Sequence, residues 1–298
     1  MNSERIRLVL AGVTASISLM FFITPTQGAN IVIGGNTTDI GTIIFVSPKP
    51  GDTPAAAGTA LLNTINGIAD NSAENPYLIK VGPGVYDLGA GSLQMKEYVD
   101  IEGSGEKTTK ITGVANNFSY PPTNGTINGA SNAELRFLTV ENTGVGYLKT
   151  ALLNSSASPS ILHVTANASG GSEGNFGVYN SSSSPVMTNV TASGSGGTNS
   201  RGVYNSSSSS PVMTNVTASG SGGTYCYGVY NASSGTVKIN HSVIKGANNT
   251  MYNESGVTTR VANTQLDGGY VANFGTLTCV GAYDGNYVGL NTNCLVSP

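Results

Sequence analysis

The chain repeats itself, and the period of the repeat limits what it can become. Gly177-Val178-Tyr179-Asn180-Ser181 recurs as Gly202-Val203-Tyr204-Asn205-Ser206 and again as Gly228-Val229-Tyr230-Asn231. The run Pro185 to Gly194 reappears whole at Pro211 to Gly220, after one added serine. Degenerate copies surround these, so that asparagines fall at positions 154, 180, 205, 231, 253 and 273. Steps of about 20 to 26 residues are too short for helical-pair repeats, which need 33 or more, and the leucine-rich signature is absent. Each unit is rich in Val, Thr and Tyr in short alternating runs, punctuated by Gly, Ser, Asn and Pro. Three short strands and three turns fit one such unit, which makes it one coil of a parallel β-solenoid.

Alternation then assigns faces. Val178 and Asn180 share one side of their strand and Tyr179 takes the other; by the same rule Val186, Thr188 and Val190 share a face. Inward valines stack coil on coil at about 4.8 Å. Asparagines repeated at that spacing can hydrogen-bond in a ladder, satisfying amides that would otherwise be buried unpaired. Several also read Asn-x-Ser/Thr, including Asn154, Asn180 and Asn205, a pattern that Ser/Thr-rich turns generate by themselves; they are read as structural.

Only 10% of the 298 residues are charged, 13 Lys+Arg against 16 Asp+Glu, where ordinary domains carry about 25%. With three cysteines and an acidic balance, a disulfide-dense mini-protein, a coiled coil and a basic nucleic-acid binder are excluded. Residues 1–29 read as a secretory signal peptide: Arg5 and Arg7, an apolar stretch from Leu8 to Ile23, then small and polar residues. Its apolar run falls short of the roughly 20 residues that span a bilayer. The expectation is a secreted protein, periplasmic or extracellular at a cell surface, with no membrane insertion after cleavage. Oxidising surroundings pair Cys279 with Cys294 as a staple on the last turn and leave Cys226 over as a buried or semi-buried thiol. Three cysteines at these positions do not provide metal-ligand spacing, so no zinc site and no resident cofactor are expected.

A solenoid needs its open end covered. Residues 30–77 supply the cap: a strand at Thr42 to Val46, then Asp52-Thr53-Pro54 as helix N-cap and first turn. Ala60, Leu61, Leu62, Ile65 and Ile68 follow at helical spacing. Strands resume at Leu78 to Val81, Tyr98 to Glu102 and Lys110 to Thr112, and the solenoid occupies 78–298, with the tandem repeats at about 150–285.

Three segments carry a resemblance: Tyr77-Leu78-Ile79-Lys80-Val81-Gly82-Pro83-Gly84-Val85-Tyr86, Val99-Asp100-Ile101-Glu102-Gly103-Ser104-Gly105 and Thr109-Lys110-Ile111-Thr112-Gly113. Together they resemble the opening of the pectin-lyase-like right-handed β-helix superfamily, especially its pectinesterase branch. Leu135 to Gly144 is similar to that branch's next coil, and the likeness spans roughly residues 43 to 154. It implies an all-β, single-stranded right-handed parallel β-helix, of about nine coils, behind a short N-terminal capping helix.

The catalytic residues that the resemblance would imply are not in place. Pectinesterases use two aspartates, an arginine and glutamines on adjacent coils. Here Leu88 stands at the first acidic position, and the chain's only glutamines are at 27, 94 and 265. The motifs of polygalacturonases and pectate lyases are missing too. Hydrolysis of a glycosidic bond wants two carboxylates flanking it, yet between Asn142 and Asn253 the chain has one, Glu173. His163 and His241 lie in separate coils without an acidic neighbour in sequence and read as turn residues. Two acidic groupings remain as weak catalytic or calcium candidates: Asp100 and Glu102, near Glu134 or Glu141 of a later coil, and Glu254, Arg260, Asp267 and Asp284 near the other end. The plainer reading makes both solvated edges.

The binding candidate is a column of tyrosines. Tyr179, Tyr204, Tyr230 and Tyr252 occupy one coil position and, with valine and asparagine inward, point out as a strip suited to stacking on a polysaccharide; the plainer reading is a self-stacked ladder that only stabilises the solenoid. The sequence reading is therefore a non-catalytic solenoid that presents a repetitive surface to glycans or a cell surface. A polysaccharide-active enzyme with non-standard acids and a purely structural surface component are the alternatives. Neither nucleic acid nor an anionic membrane suits the charge.

Overall fold

A computed structural model describes residues 41–296. The proposed signal peptide lies outside the described residues. Among the described residues, twenty-two strands, all paired in parallel, and one helix wind into a solenoid. Its wall has three columns of stacked strands. The first begins with Thr42–Val46, Tyr77–Val81 and Val99–Gly103 and ends with Thr276–Val280. The second starts at Gly84–Asp87 and Thr109–Gly113, the third at Leu93–Gln94 and Ile127–Asn128. From Glu134–Asn142 onward several strands serve two columns through a sharp corner. Coils with all three strands are slightly fewer than the nine expected, because the first and last turns are incomplete.

The core consists of three aliphatic stacks, one behind each column. Ile79, Ile101, Leu135, Ile161, Met187, Met213, Ile239, Val261 and Cys279 are successive register partners and all buried. Val140, Ala166, Ala192, Ala218 and Ile244 form the second, and Leu152, Val178, Val203, Val229 and Met251 the third. Each apolar side chain is desolvated by its copies above and below, so stability is shared between neighbouring coils.

The corner between the first and second columns corrects one face assignment. Val190 points inward but Val186 is 49% exposed, and Met187 takes the core position instead. Strict alternation fails because Asn189, at φ 54°, turns the strand through the left-handed region between them. Phe137, His163, Asn215, His241 and Asn263 occupy the same corner in other coils with φ between 46° and 56°. The two histidines are thus corner residues. Asn215 Nδ2 donates to Asn189 Oδ1 (2.5 Å), Asn189 Nδ2 lies 3.0 Å from His163 Nε2, and Phe137 stacks on the His163 ring.

The asparagine ladder sits at the end of the third column. Amide Nδ2 donates to the next Oδ1 from Asn154 to Asn180 (2.8 Å), to Asn205 (2.8 Å), to Asn231 (2.7 Å), to Asn253 (3.4 Å) and to Asn273 (2.8 Å). All but the last are buried.

The helix Pro54–Asn66 lies across the first coil, with the Thr53 hydroxyl accepting from the Ala56 amide (3.2 Å) as its cap. It buries Ala57, Gly58, Leu61 and Ile65, while Ala60 is exposed. Gly58 permits this seating, since a Cβ there would lie 2.1 Å from the Asp87 carbonyl oxygen. At the far end residues 285–296 fold over the last coil, where Cys279 and Cys294 are disulfide-bonded.

Candidate functional site: an aromatic face on the outer wall

Leu153, Tyr179, Tyr204, Tyr230, Tyr252 and Ala272 are register partners along the third column, outside the core. A second outward row, Phe176, Arg201, Tyr227, Asn249 and Tyr270, runs beside it. The rings mesh with one another. Tyr179 meets Tyr204 edge to face (4.7 Å, 84°) and Tyr204 meets Tyr230 likewise (5.2 Å, 78°), the arrangement that the ring quadrupole favours. Tyr230 and Tyr252 stack nearly parallel at 4.7 Å and 9°, and Phe274 tilts against Tyr252 at 5.5 Å.

An open strip of four rings was the expectation, and half of it is covered. Tyr179 is 1% and Tyr204 7% exposed; Tyr230 and Tyr252 are half-buried. The cover is the loop 114–126, which carries Tyr120 to within 6.3 Å of Phe176, 6.1 Å of Tyr179 and 6.0 Å of Tyr204, centroid to centroid. The loop is pinned from inside. Asn117 Oδ1 accepts the Thr123 and Asn124 amides (2.8 and 2.9 Å). The buried Lys149 ammonium donates to the Val114 and Ala115 carbonyls (2.8 and 3.4 Å), and burial pushes its pKa down. Asn142 Nδ2 donates to Ala115 as well (3.0 Å).

Towards the C-terminus the face opens. Phe274 (65% exposed) leans on Tyr252, and Tyr225 (51%) and Tyr270 (70%) are exposed on the same column. Glu254 accepts from the Tyr230 hydroxyl (2.7 Å) and from the Ser233 amide (3.0 Å). Burial, and then that bond to a carboxylate, push the Tyr230 phenol far up, so it stays a donor at any ordinary pH. The result is a platform of aromatic faces with a fixed hydroxyl and a carboxylate at its edge.

The acidic candidates are dispersed or neutralised. Glu102 pairs with Lys80 and with Arg136, whose Nε and Nη2 approach Glu102 Oε2 at 2.9 and 2.7 Å, and Glu134 pairs with Arg136 too. Burial raises the Glu102 pKa, but the hydrogen bonds from Lys80 and Arg136 outweigh it and leave the carboxyl below its usual range. Asp100 accepts from the Glu134 amide (2.8 Å), and burial nevertheless pushes its pKa up. At the other end the four residues do not converge. Asp267 pairs with Lys245 (3.2 Å), Asp284 closes its own turn by accepting the Asn286 and Val288 amides (2.9 and 2.8 Å), and Arg260 stands on the first column. Among the described residues no group of three His, Cys, Asp or Glu is arranged to hold a metal ion. Cys226 is buried in register with Ser200 and Asn175, its Sγ hydrogen-bonded to Gly223 (3.2 Å to the carbonyl), as Ser200 Oγ bonds Gly196 (2.5 Å).

Sequence reading passed over Arg201, Tyr227, Tyr270, Phe274 and Tyr120. The repeat alone places Arg201 and Tyr227 in one row with Phe176, since each precedes the Gly-Val-Tyr triplet. Nothing in the sequence signals that Tyr120 crosses to the third column.

No family model and no curated protein matches the chain. Among solved structures it is similar to ORF18 of Geobacillus virus E2, with a TM-score of 0.52 and 14% identity over 80% of this chain. It spans 50% of the length of that protein. Pectin methylesterase PemA from Erwinia chrysanthemi superposes with a TM-score of 0.49 and 10% identity over 85% of this chain and 92% of that one. Among the described residues no helix is long and apolar enough to cross a membrane. What this chain shares with the viral protein is the fold, a right-handed parallel β-helix.

Proposed function

We propose that the protein is an exported, non-catalytic β-helix whose third-column face binds a glycan or a glycan-coated cell surface. The observation that supports this reading is the aromatic platform of Tyr230, Tyr252 and Phe274, whose rings follow one another at 4.7 and 5.5 Å along successive coils, with a hydroxyl–carboxylate pair at its margin. Sugar rings stack on such faces through their apolar C–H surface, while their hydroxyls need donors and acceptors alongside. Near-identical coils lengthen the face without disturbing distant ones.

The test is a panel of soluble and insoluble polysaccharides on purified protein, with and without calcium, scored for binding and for released products. Binding without products, lost in Tyr252→Ala and Phe274→Ala, is the expected result. New reducing ends, unsaturated sugars or methanol would refute the non-catalytic reading. They would direct attention to Asp100, whose raised pKa and shallow groove with Asn132, Glu134, Ser158 and Ser160 make it the strongest of the acidic candidates. Absence of both binding and products would leave a structural surface component.

A further inference from the structure

Arg201 is the one charged residue in the two aromatic rows, and its setting is chemically incomplete. Its side chain is 8% exposed and lies between two rings, with its Cζ 4.4 Å from the Tyr204 centroid and 4.3 Å from that of Tyr230. Among the described residues it has no carboxylate within ion-pair distance. Its Nε–H has no acceptor at all. Its terminal nitrogens make only two long bonds, to the Tyr120 hydroxyl (3.3 Å) and to Asn199 Oδ1 (3.3 Å).

The fold does not require a cation here, because the same position is Phe176 one coil earlier and Tyr227 one coil later. Aromatic faces attract a guanidinium, but they do not replace the planar acceptor pair that its fork is built to meet. Taking a charge out of water without a counter-ion is costly, and an apolar residue of similar volume would be tolerated as well or better. The cost is recovered if a ligand supplies the missing oxygens. Tyr120 stands over the guanidinium, is itself 48% exposed, and belongs to a loop whose tip residue Phe118 is 85% exposed. Moving the Tyr120 side chain aside forfeits that long hydrogen bond and its ring contacts with Phe176, Tyr179 and Tyr204, a loss that incoming ligand oxygens on the fork must offset.

We infer that Arg201, walled by Tyr204 and Tyr230 under Tyr120, is an oxyanion site that makes the aromatic face selective for a ligand bearing a carboxylate or sulfate group. This rests on the glycan-binding reading for its natural ligand, but the anion site can be tested without it.

The experiment compares three matched glucan oligosaccharides by calorimetry: neutral, oxidised to the carboxylate at C6, and sulfated at O6. Wild type is expected to bind one or both charged forms at least tenfold more tightly than the neutral one, and the two charged arms identify which oxyanion it takes. Arg201→Met is expected to keep the neutral affinity, lose the preference, and unfold at the same or a higher temperature. Arg201→Lys, which keeps charge but not the fork, retains only part of the preference. No preference in wild type, or a preference that survives in Arg201→Met, overturns the inference. If no oligosaccharide binds, the glycan reading fails, and thermal unfolding in sodium sulfate and in sodium acetate decides the anion site. A larger stabilisation of wild type than of Arg201→Met by either salt sustains it; equal shifts in both proteins overturn it.

Discussion

Replacing Asn205 by leucine tests the ladder in its interior, between two fully buried amides. Asn205 Oδ1 accepts from Asn180 (2.8 Å) and its Nδ2 donates to Asn231 (2.7 Å), with Asn180 and Asn231 fully buried and Asn205 at 2%. Leucine fills nearly the same volume, so cavity formation contributes little. What changes is that Asn180 loses an acceptor and Asn231 Oδ1 loses its donor. A buried polar group left unpaired costs about 1–3 kcal/mol, so the substitution should destabilise by about 2–6 kcal/mol. Urea unfolding followed by circular dichroism measures this, with hydrogen exchange of the strands Asn199–Ser206 and Tyr225–Asn231 showing whether the loss is local, as expected for a solenoid.

Two controls sharpen the reasoning. Asn273→Leu acts at the exposed end, where Asn253 Nδ2 also reaches the Thr276 carbonyl (3.4 Å), and should cost less than about 1 kcal/mol. Asn205→Asp keeps the acceptor toward Asn180 but, when ionised, sets a carboxylate oxygen against Asn231 Oδ1. Its pKa in the folded protein must therefore rise, so its penalty appears as pH climbs past about 3.9 and fades below it, where the protonated acid again donates. An Asn205→Leu protein within 1 kcal/mol of wild type, or an aspartate variant indifferent to pH, would refute the ladder as a source of stability.

Three further outcomes follow from other regions. Glu102 has a depressed pKa, so its stabilising contribution is present above the ordinary glutamate value of about 4.3 and is lost as pH falls through the lower folded value; Glu102→Gln should flatten the acid limb of a melting-temperature–pH curve. Lys149→Met removes the donor to Val114 and Ala115, and should raise amide exchange across residues 114–126 while the strands of the third column stay protected. Reducing Cys279–Cys294, which closes a sequence separation of 15, should lower stability by about 3 kcal/mol in chemical unfolding, confined to the last coil.

Much of this architecture is written in one dimension because a solenoid coil contacts only its neighbours. The Asn-to-Asn period placed every member of the ladder, and alternation put Val178 in the core and Tyr179 outside it. Cys226 could have been read the same way: it holds the place of Ser200 and Asn175 in the repeat, and bonds its own turn as Ser200 does. Alternation misled at Val186, because a single left-handed residue at Asn189 resets the parity and no periodicity registers a change of φ. Spacing is blind to the pairing of the acidic residues for a related reason. Asp267 and Asp284 follow one another along the chain, yet each is occupied by a local partner, which spacing alone cannot reveal.

The coil, its stack of aliphatic and amide columns, and the outward row of tyrosines follow from local alternation and a period close to one turn, and so are legible along the chain. How much of that row meets solvent is set instead by contacts between residues far apart in the chain. Tyr120 reaches Tyr179 and Tyr204 from 59 and 84 residues away in sequence, carried by a loop that Lys149 and Asn142 hold from the buried side. The placing of Arg201 between two rings, with no carboxylate in ion-pair reach among the described residues, is set the same way, because pairing depends on what the other coils and loops leave unoccupied, and a repeat pattern carries no record of that.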